Sequence, residues 1–477
     1  MSAKQVDNEN PNDGAIENSK KMIGSDAPNK NKYLRELGEL YEKENMFYKA
    51  VECYVKILNE EQDLSTICIL RNQIGTCYFN LKQYKLAIHY FKKVVLIKDI
   101  PDVYTNIGLC YNNEQNYEDA EVNLLKSYKL DKCNSRTTSL LGQLYYHTKN
   151  YKKSIEFYEK HVKKNEYVIL HILSFSYLSN KDFKTGFRLY ENRLKFNNIN
   201  GQTNIKDRLE VPFDYWDGSA VCDRLLIVSE QGMGDNIQYY RFIVELSEKF
   251  PCMKITYFCR KELGHIFKTY NNIEIITSLY TLNYSYKLYI MSLPKILNLT
   301  TIVPNTLNYI NVNEEKIVYW KQRTEHLKKY KVGFVYTGLL CSYLEKSLNL
   351  KDFEFLCDLD IDLICIHRKT EVEKDLNSLP FKAKINHFDI DVEKPFEDTI
   401  HLIQTLDLLI TVDTFIVHLA GVLNVKTWLL LGVSEWRWSD DPYKTYWYDS
   451  VELIRTNPRE KLIDLLKTVK HKLINFY

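Results

Sequence analysis

Four stretches of this chain repeat one another, and the repetition restricts its N-terminal part to a short menu of folds. LGELYEKENMFYKAVECYVKIL begins at Leu37, IGTCYFNLKQYKLAIHYFKKVV at Ile74, IGLCYNNEQNYEDAEVNLLKSY at Ile107 and LGQLYYHTKNYKKSIEFYEKHV at Leu141. Gly38, Gly75, Gly108 and Gly142 recur about every 34 residues. Three residues after each comes Tyr41, Tyr78, Tyr111 or Tyr145, and twelve after each comes Ala50, Ala87, Ala120 or Ser154. A period of this length is one helical hairpin, too small to bury its own apolar face, so successive copies stack into an array. Small residues at the Gly and Ala positions let the two helices of a hairpin approach closely, while aromatic and aliphatic positions fill the space between hairpins. Pro101 opens one copy, as suits a helix start. A weaker fifth copy carries Tyr177 and Gly186.

The pattern resembles the tetratricopeptide repeat over about residues 32–195. Such hairpins stack into a superhelix whose concave face binds peptides or partner proteins. The plainer alternative is an array that only packs on the C-terminal half. The repeats alone name no ligand.

With 477 residues, 45% of them hydrophobic, the chain has room for several domains and a sizeable core. Lys and Arg number 64 against 62 Asp and Glu, giving a net charge of +2, so nothing global points to nucleic acid or to an anionic membrane. No apolar run reaches the ~18 residues of a spanning helix, and the polar N-terminus has no signal-peptide core. Residues 1–30 read as a disordered tail. The eleven cysteines include no C-x-x-C pair. They are expected to be reduced core thiols of a cytoplasmic protein rather than a disulfide or zinc framework.

From about residue 205 the pattern changes. Short apolar runs alternate with helical stretches: Leu225–Val228, Ile255–Phe258, Ile273–Ile276, Lys287–Ile290, Val332–Tyr336, Leu363–Ile366, Leu408–Val412, Thr427–Leu431 and Val451–Ile454. Continuous Val/Ile/Leu runs bounded by polar turns are typical of parallel strands buried on both faces. The expected architecture is two Rossmann-like lobes, residues 205–325 and 330–477, following a repeat domain at 31–200. A charged helical stretch, 311–330, joins the lobes, and a last helix near Arg459–Ile474 closes the structure.

Three strand ends carry candidate chemistry. In RLLIVSEQGMGDNIQYYRF a strand runs into Gly232-Met233-Gly234-Asp235 and then a helix. Glycines at such a turn let a ligand approach the helix N-terminus. Asp235 is either a base that accepts a hydroxyl proton or an acid stabilised by the helix dipole. In KVGFVYTGLLCSYLEKSLNL, Thr337, Gly338, Lys346 and Ser347 follow the strand; Lys346 suits a diphosphate, or is an ordinary surface lysine. In DLLITVDTFIVHLAG, Asp413 and Thr414 end a strand and His418 follows, as a ligand group or as a capping or core histidine. His367 and Arg368 fall at the same sheet edge, where ligands of open α/β sheets bind. No metal site stands out; Asp389 and Asp391, in HFDIDVEKPF, read as a solvated loop. A serine-nucleophile motif, a P-loop and a full dinucleotide fingerprint are absent.

Together these blocks resemble tetratricopeptide repeats fused to a GT-B glycosyltransferase domain similar to the ADP-heptose:lipopolysaccharide heptosyltransferase family (family 9). A more distant similarity is to O-linked N-acetylglucosamine transferases. EQGMGDNIQYYRF from Glu230, Ser292-Leu293-Pro294, the Val412–Gly421 block, Trp436-Arg437-Trp438 and Trp447-Tyr448 carry the resemblance. It implies an all-α superhelix followed by a GT-B fold, and a metal-independent transfer of a hexose or heptose from a nucleotide-sugar to a protein or glycan acceptor held by the repeats. No cofactor is implied. Asp235 would be the general base. Gly232, Gly234, Thr337, Gly338, Lys346, Ser347, Asp413, Thr414 and His418 would bind the donor. The chain departs from the family at Phe415, where heptosyltransferases carry glycine. Two other readings use the same features: a non-catalytic repeat scaffold with a degenerate transferase domain, and a GT-B epimerase.

Overall fold

The computed structural model describes residues 12–25, 29–160, 162–163, 165–195, 213–279, 283–338, 347–432, 435–456 and 460–475. The chain divides into two compact units, Met1–Ile169 and Leu170–Tyr477.

The first unit is helical: α1 (Asp13–Ser25), α2 (Lys30–Lys43), α3 (Phe47–Leu58), α4 (Leu64–Asn80), α5 (Tyr84–Val95), α6 (Pro101–Asn113), α7 (Tyr117–Leu130), α8 (Ser135–His147) and α9 (Tyr151–Glu159). The hairpins α2–α3, α4–α5, α6–α7 and α8–α9 are the four sequence copies. Each repeat glycine faces a large side chain sixteen positions later. A Cβ on Gly38, Gly75, Gly108 or Gly142 would lie 2.6, 2.6, 2.6 or 2.7 Å from Tyr54, Phe91, Leu124 or Tyr158. Ala50, Ala87, Ala120 and Ser154 are fully buried beside these contacts, and Ser154 donates to the Gly142 carbonyl at 2.7 Å. Seven positions after each glycine stands a residue in the left-handed region: Asn45, Lys82, Gln115 and Lys149, with φ from 58 to 60°. The next N–H returns to the carbonyl of the repeat tyrosine: Met46 to Tyr41, Gln83 to Tyr78, Asn116 to Tyr111 and Asn150 to Tyr145, at 2.8–2.9 Å. This is the 6→1 bond of a Schellman ending, made here without glycine.

One expectation is corrected. Residues 13–25 lie within the stretch read as a disordered tail, yet they form α1. Ile16 is buried among Leu34, Leu37 and Tyr41, with Ile23 packed alongside, so two apolar residues seven apart supply a helix face that the surrounding polar composition obscures. Cys133 and Cys252 are exposed rather than core thiols, whereas Cys53, Cys77, Cys110, Cys259 and others are buried.

The second unit begins within α10 (Tyr167–Ser179) and continues through α11 (Phe183–Tyr190) into two parallel sheets. The first holds β1 (Arg224–Val228), then, after α12 (Met233–Lys249), β2 (Lys254–Phe258), β3 (Ile273–Ile276) and β4 (Tyr286–Tyr289), in the order β3-β2-β1-β4. The short α13 (Leu293–Ile296) and α14 (Glu314–Arg323) follow. The second sheet holds β5 (Tyr330–Val335), β6 (Ile361–Cys365), α15 (Lys369–Asn377), β7 (Ile385–His387), α16 (Glu397–Ile403), β8 (Leu408–Val412), α17 (Phe415–Val422), β9 (Thr427–Leu431) and β10 (Val451–Arg455), closed by α18 (Leu465–Ile474). Its strand order is β10-β9-β8-β5-β6-β7. Every residue of β8 and β9 is buried, which is why those strands read as unbroken apolar runs.

In each sheet the chain starts in the middle, winds to one edge and returns to build the other side. The winding direction therefore reverses between β1 and β4 and between β5 and β8, and ligands of such sheets bind outside the strand ends at these points. Helix α14, the charged stretch between the sheets, docks on α16: Trp320 Nε1 donates to Asp398 at 3.1 Å, and Lys316 lies 3.6 Å from Glu397.

Candidate functional site

The turn after β1 is built by side chains that brace its backbone. Glu230 is buried, accepts from Arg193 Nη2 at 2.6 Å and from the Met291 N–H at 3.2 Å, and Arg193 also donates to Ser292 at 2.8 Å. Gln231 takes a left-handed φ of 61°, and its amide donates to Tyr190 at 2.7 Å. Asn236 donates to the carbonyls of Glu230 and Gly232 at 3.1 and 2.7 Å and accepts from Tyr257 at 2.7 Å. The turn thus delivers Gly232 to the cap of α12 in a fixed position.

Asp235 sits in the first turn of α12, buried. Its Oδ2 accepts the Gly232 N–H at 2.9 Å, so the carboxylate caps the start of α12. Its Oδ1 lies 2.5 Å from Arg437 Nη1, a charge–charge contact outside hydrogen-bonding angles. Burial pushes the Asp235 carboxyl above the usual carboxylate range; Arg437 and the Gly232 N–H pull it down, and Glu435 and Asp413 push it up. Arg437 itself is held above the ordinary arginine value: burial works against its charge, but Asp235 and Glu435 outweigh it.

The turn after β8 meets the turn after β1 directly. Thr414 caps α17, its hydroxyl accepting the Ile416 N–H at 3.2 Å. A Cβ on Gly234 would lie 2.8 Å from His418 Cδ2 and 3.3 Å from Phe415 Cα, so only a bare Cα allows the first turns of α12 and α17 to touch. His418 is buried, its ring stacked on Trp438 at 5.2 Å and its Nδ1 3.2 Å from the Tyr448 hydroxyl. Gly421 has the same purpose one helical face away: a Cβ there would lie 2.4 Å from the Tyr448 ring. Phe415 packs on Phe396 at 4.6 Å, and Arg368 lies 5.8 Å from that Phe396 ring.

The third group gathers at the end of β5. Ser347 Oγ accepts the Gly338 N–H at 3.2 Å and lies 3.3 Å from Thr337 Oγ1. Parallel register sets Val335 beside Thr411, so Thr337 and Asp413, two residues on, leave the sheet from adjacent strands. Lys346 lies outside the described residues. His367 accepts the Tyr336 N–H at 3.4 Å and packs on its ring at 4.6 Å.

Asp391 is half-buried on a loop whose residues Asp389 and 392–394 are exposed, as the solvated-loop reading expected. Its carboxylate accepts the N–H groups of Asp398 and Thr399 at 2.9 and 3.0 Å and the Thr399 hydroxyl at 2.6 Å, capping α16 from outside, and burial raises its pKa. Among the described residues no three His, Cys, Asp or Glu side chains are grouped to hold a metal ion.

The structure therefore brings Gly234 against His418 and Phe415, with Gly232 and Asp235 joined in the same turn and Thr414 capping the facing helix, while Thr337, Gly338 and Ser347 cluster at the adjacent strand end. Arg437, Tyr239 and the bracing pair Arg193–Glu230 were not among the candidates read from the chain. The only signal for Arg437 was its place in Trp436-Arg437-Trp438.

The family described as the tetratricopeptide repeat matches residues 70–99, 101–132 and 139–163. Among solved structures, MamA from Desulfovibrio magneticus RS-1 is similar at 20% identity, covering 35% of this chain and 93% of its own, with a TM-score of 0.32. A tetratricopeptide repeat protein from Parabacteroides merdae is similar at 14% identity, covering 49% and 79%, with a TM-score of 0.33. BtubC from P. vanneervenii matches at 16% identity, covering 40% and 91%, with a TM-score of 0.32. A comparison with curated proteins finds no match. Residues 70–163 are thus tetratricopeptide repeats, a scaffold class that offers extended surfaces to other proteins. The second unit is an α/β assembly of two parallel sheets. No helix among the described residues is long and apolar enough to cross a membrane.

Proposed function

We propose that the second unit is a GT-B glycosyltransferase that moves a hexose or heptose from a nucleotide-sugar to a protein or glycan acceptor, with the repeats engaging the acceptor. The observation that carries this reading is the meeting of two strand-to-helix turns: Gly234 against His418 and Phe415, with Asp235 buried beside Arg437. Helix N-termini from separate parallel sheets converge there, as suits a diphosphate. In the reaction, Asp235 takes the proton of the acceptor hydroxyl. The hydroxyl oxygen bonds to the anomeric carbon, and the sugar–phosphate C–O bond breaks with its electron pair leaving on the nucleoside diphosphate. The raised pKa of Asp235 suits a base that must hold the proton it takes.

The test is incubation of the full chain with UDP-, GDP- and ADP-sugars, with mass spectrometry for released nucleoside diphosphate and for glycosylated product. Turnover of at least one donor, abolished in Asp235→Asn at retained fold, is the expected result. Full activity in that variant removes Asp235 from the mechanism.

A non-catalytic scaffold is the second reading, and Phe415 favours it. Its ring fills the turn against Phe396, where the resembling family has glycine. Absence of any thermal shift across the same donor panel would select it.

A further inference from the structure

On helix α12 and on the Trp436–Trp438 segment, buried polar side-chain atoms find no protein hydrogen bond. Tyr239 Oη, both side-chain polar atoms of Gln238, Trp438 Nε1 and Arg437 Nε all lack a hydrogen-bond partner among the described residues. Tyr239, Gln238 and Trp438 are fully buried. An unpaired buried polar atom is costly, and folded proteins leave few of them. Of these, Tyr239 faces an ion pair closely enough to feel both its charges, and that pair's own geometry is incomplete: Arg437 Nη1 and Asp235 Oδ1 are 2.5 Å apart but poorly aligned. Arg437 is fixed from behind, because its carbonyl accepts from Trp447 Nε1 and its neighbour Trp438 stacks on His418 at 5.2 Å. A guanidinium offers five donors in a planar fork that matches phosphate oxygens. This one spends a contact on a carboxylate that is also claimed by the Gly232 N–H.

We infer that Arg437 is the anion receptor of this site and that its pair with Asp235 is a latch opened by the diphosphate of an incoming ligand. The guanidinium turns its fork to phosphate oxygens, and the Asp235 carboxylate, released, is left on its Gly232 cap and open to an acceptor hydroxyl. The free protein thereby keeps its base occupied until an anion arrives. The inference rests on the nucleotide-sugar reading given above, and adds to it which cation receives the diphosphate and how that couples to the base.

A double-mutant cycle on the full chain tests it by calorimetry with inorganic diphosphate, UDP, GDP and ADP as probes. Asp235→Asn removes the competitor, so at least one probe should bind about tenfold more tightly, while Arg437→Gln should weaken it about tenfold or more, within the coupling range of contacting residues. In the Arg437→Gln background, Asp235→Asn should gain nothing. An equal gain in both backgrounds means simple charge repulsion and overturns the latch while leaving the transferase reading standing. Unchanged affinity in Arg437→Gln overturns it too. If no probe binds any variant, including Asp235→Asn, both readings fall. Should Arg437→Gln unfold, Arg437→Lys keeps the charge but loses the fork; it should bind more weakly than the wild type, and equal binding sinks the proposal.

Discussion

At Asp235, burial opposes the charge that Arg437 and the Gly232 N–H favour, and burial is the larger influence. The carboxyl therefore titrates above the ~3.9 of a free aspartate. Under the transfer proposed above Asp235 acts as the ionised base, so kcat/KM should fall with decreasing pH through a pKa higher than that reference, measured with whichever donor turns over. The stability consequence has the opposite dependence. With a folded-state pKa raised above the unfolded one, the favourable contribution of this group is complete below the unfolded pKa and is lost as pH rises through the folded pKa. The urea midpoint of Asp235→Asn should accordingly improve relative to the wild type as pH rises across that window; a constant difference would contradict it. Arg193 is a second residue-scale case. Fully buried among Glu230, Glu191 and Ser292, its loss in Arg193→Ala strands two carboxylates and should cost about 3–5 kcal/mol by chemical unfolding. The place of Asp235 in the first turn of a helix was legible because Gly232 and Gly234 mark a strand-to-helix turn, though the same pattern suits a base and a helix-start acid alike. Arg437 was not, because its role exists only where distant parts of the chain meet.

The helical hairpins and the strands differ in how plainly the sequence displays them. A repeat glycine is visible as a period, and its purpose is the aromatic or leucine sixteen residues on. Gly75→Ala sets a methyl 2.6 Å from the buried Phe91 ring, so overpacking of about 1–3 kcal/mol should outweigh the ~1 kcal/mol gained in helix propensity. A more stable variant by thermal melting would show that the hairpin relaxes. The turn residues are the reverse case: exposed Gln115 holds φ 58° with a side chain that disfavours it. Gln115→Gly should therefore raise stability by about 0.5–1 kcal/mol in urea titration. Strands β1, β8 and β9 were readable as apolar runs because both faces are covered. Strand β7 was missed: it is three residues long, Ile-Asn-His, at a sheet edge, and has no apolar run to read. Helix α1 was missed because its two isoleucines lie in a polar segment whose composition is that of a tail.

In the first unit the buried clusters gather residues from Ile16 to Phe157, and in the second they gather residues from Leu178 onward around the two sheets. Calorimetry should resolve two unfolding transitions, with Gly75→Ala lowering one and Arg193→Ala the other; a single transition moved by both would overturn this. The fold class of each unit was legible because repeats and buried parallel strands are written in local pattern, whereas the candidate site lies within the second unit, where turns from its two sheets meet. The hairpin contact has a consequence for inheritance as well. Each glycine meets a partner at a fixed offset within its own copy, although the spacing between copies varies. A genetic exchange that gains or loses one whole copy therefore leaves every remaining glycine with its partner, whereas a cut inside a copy parts the two.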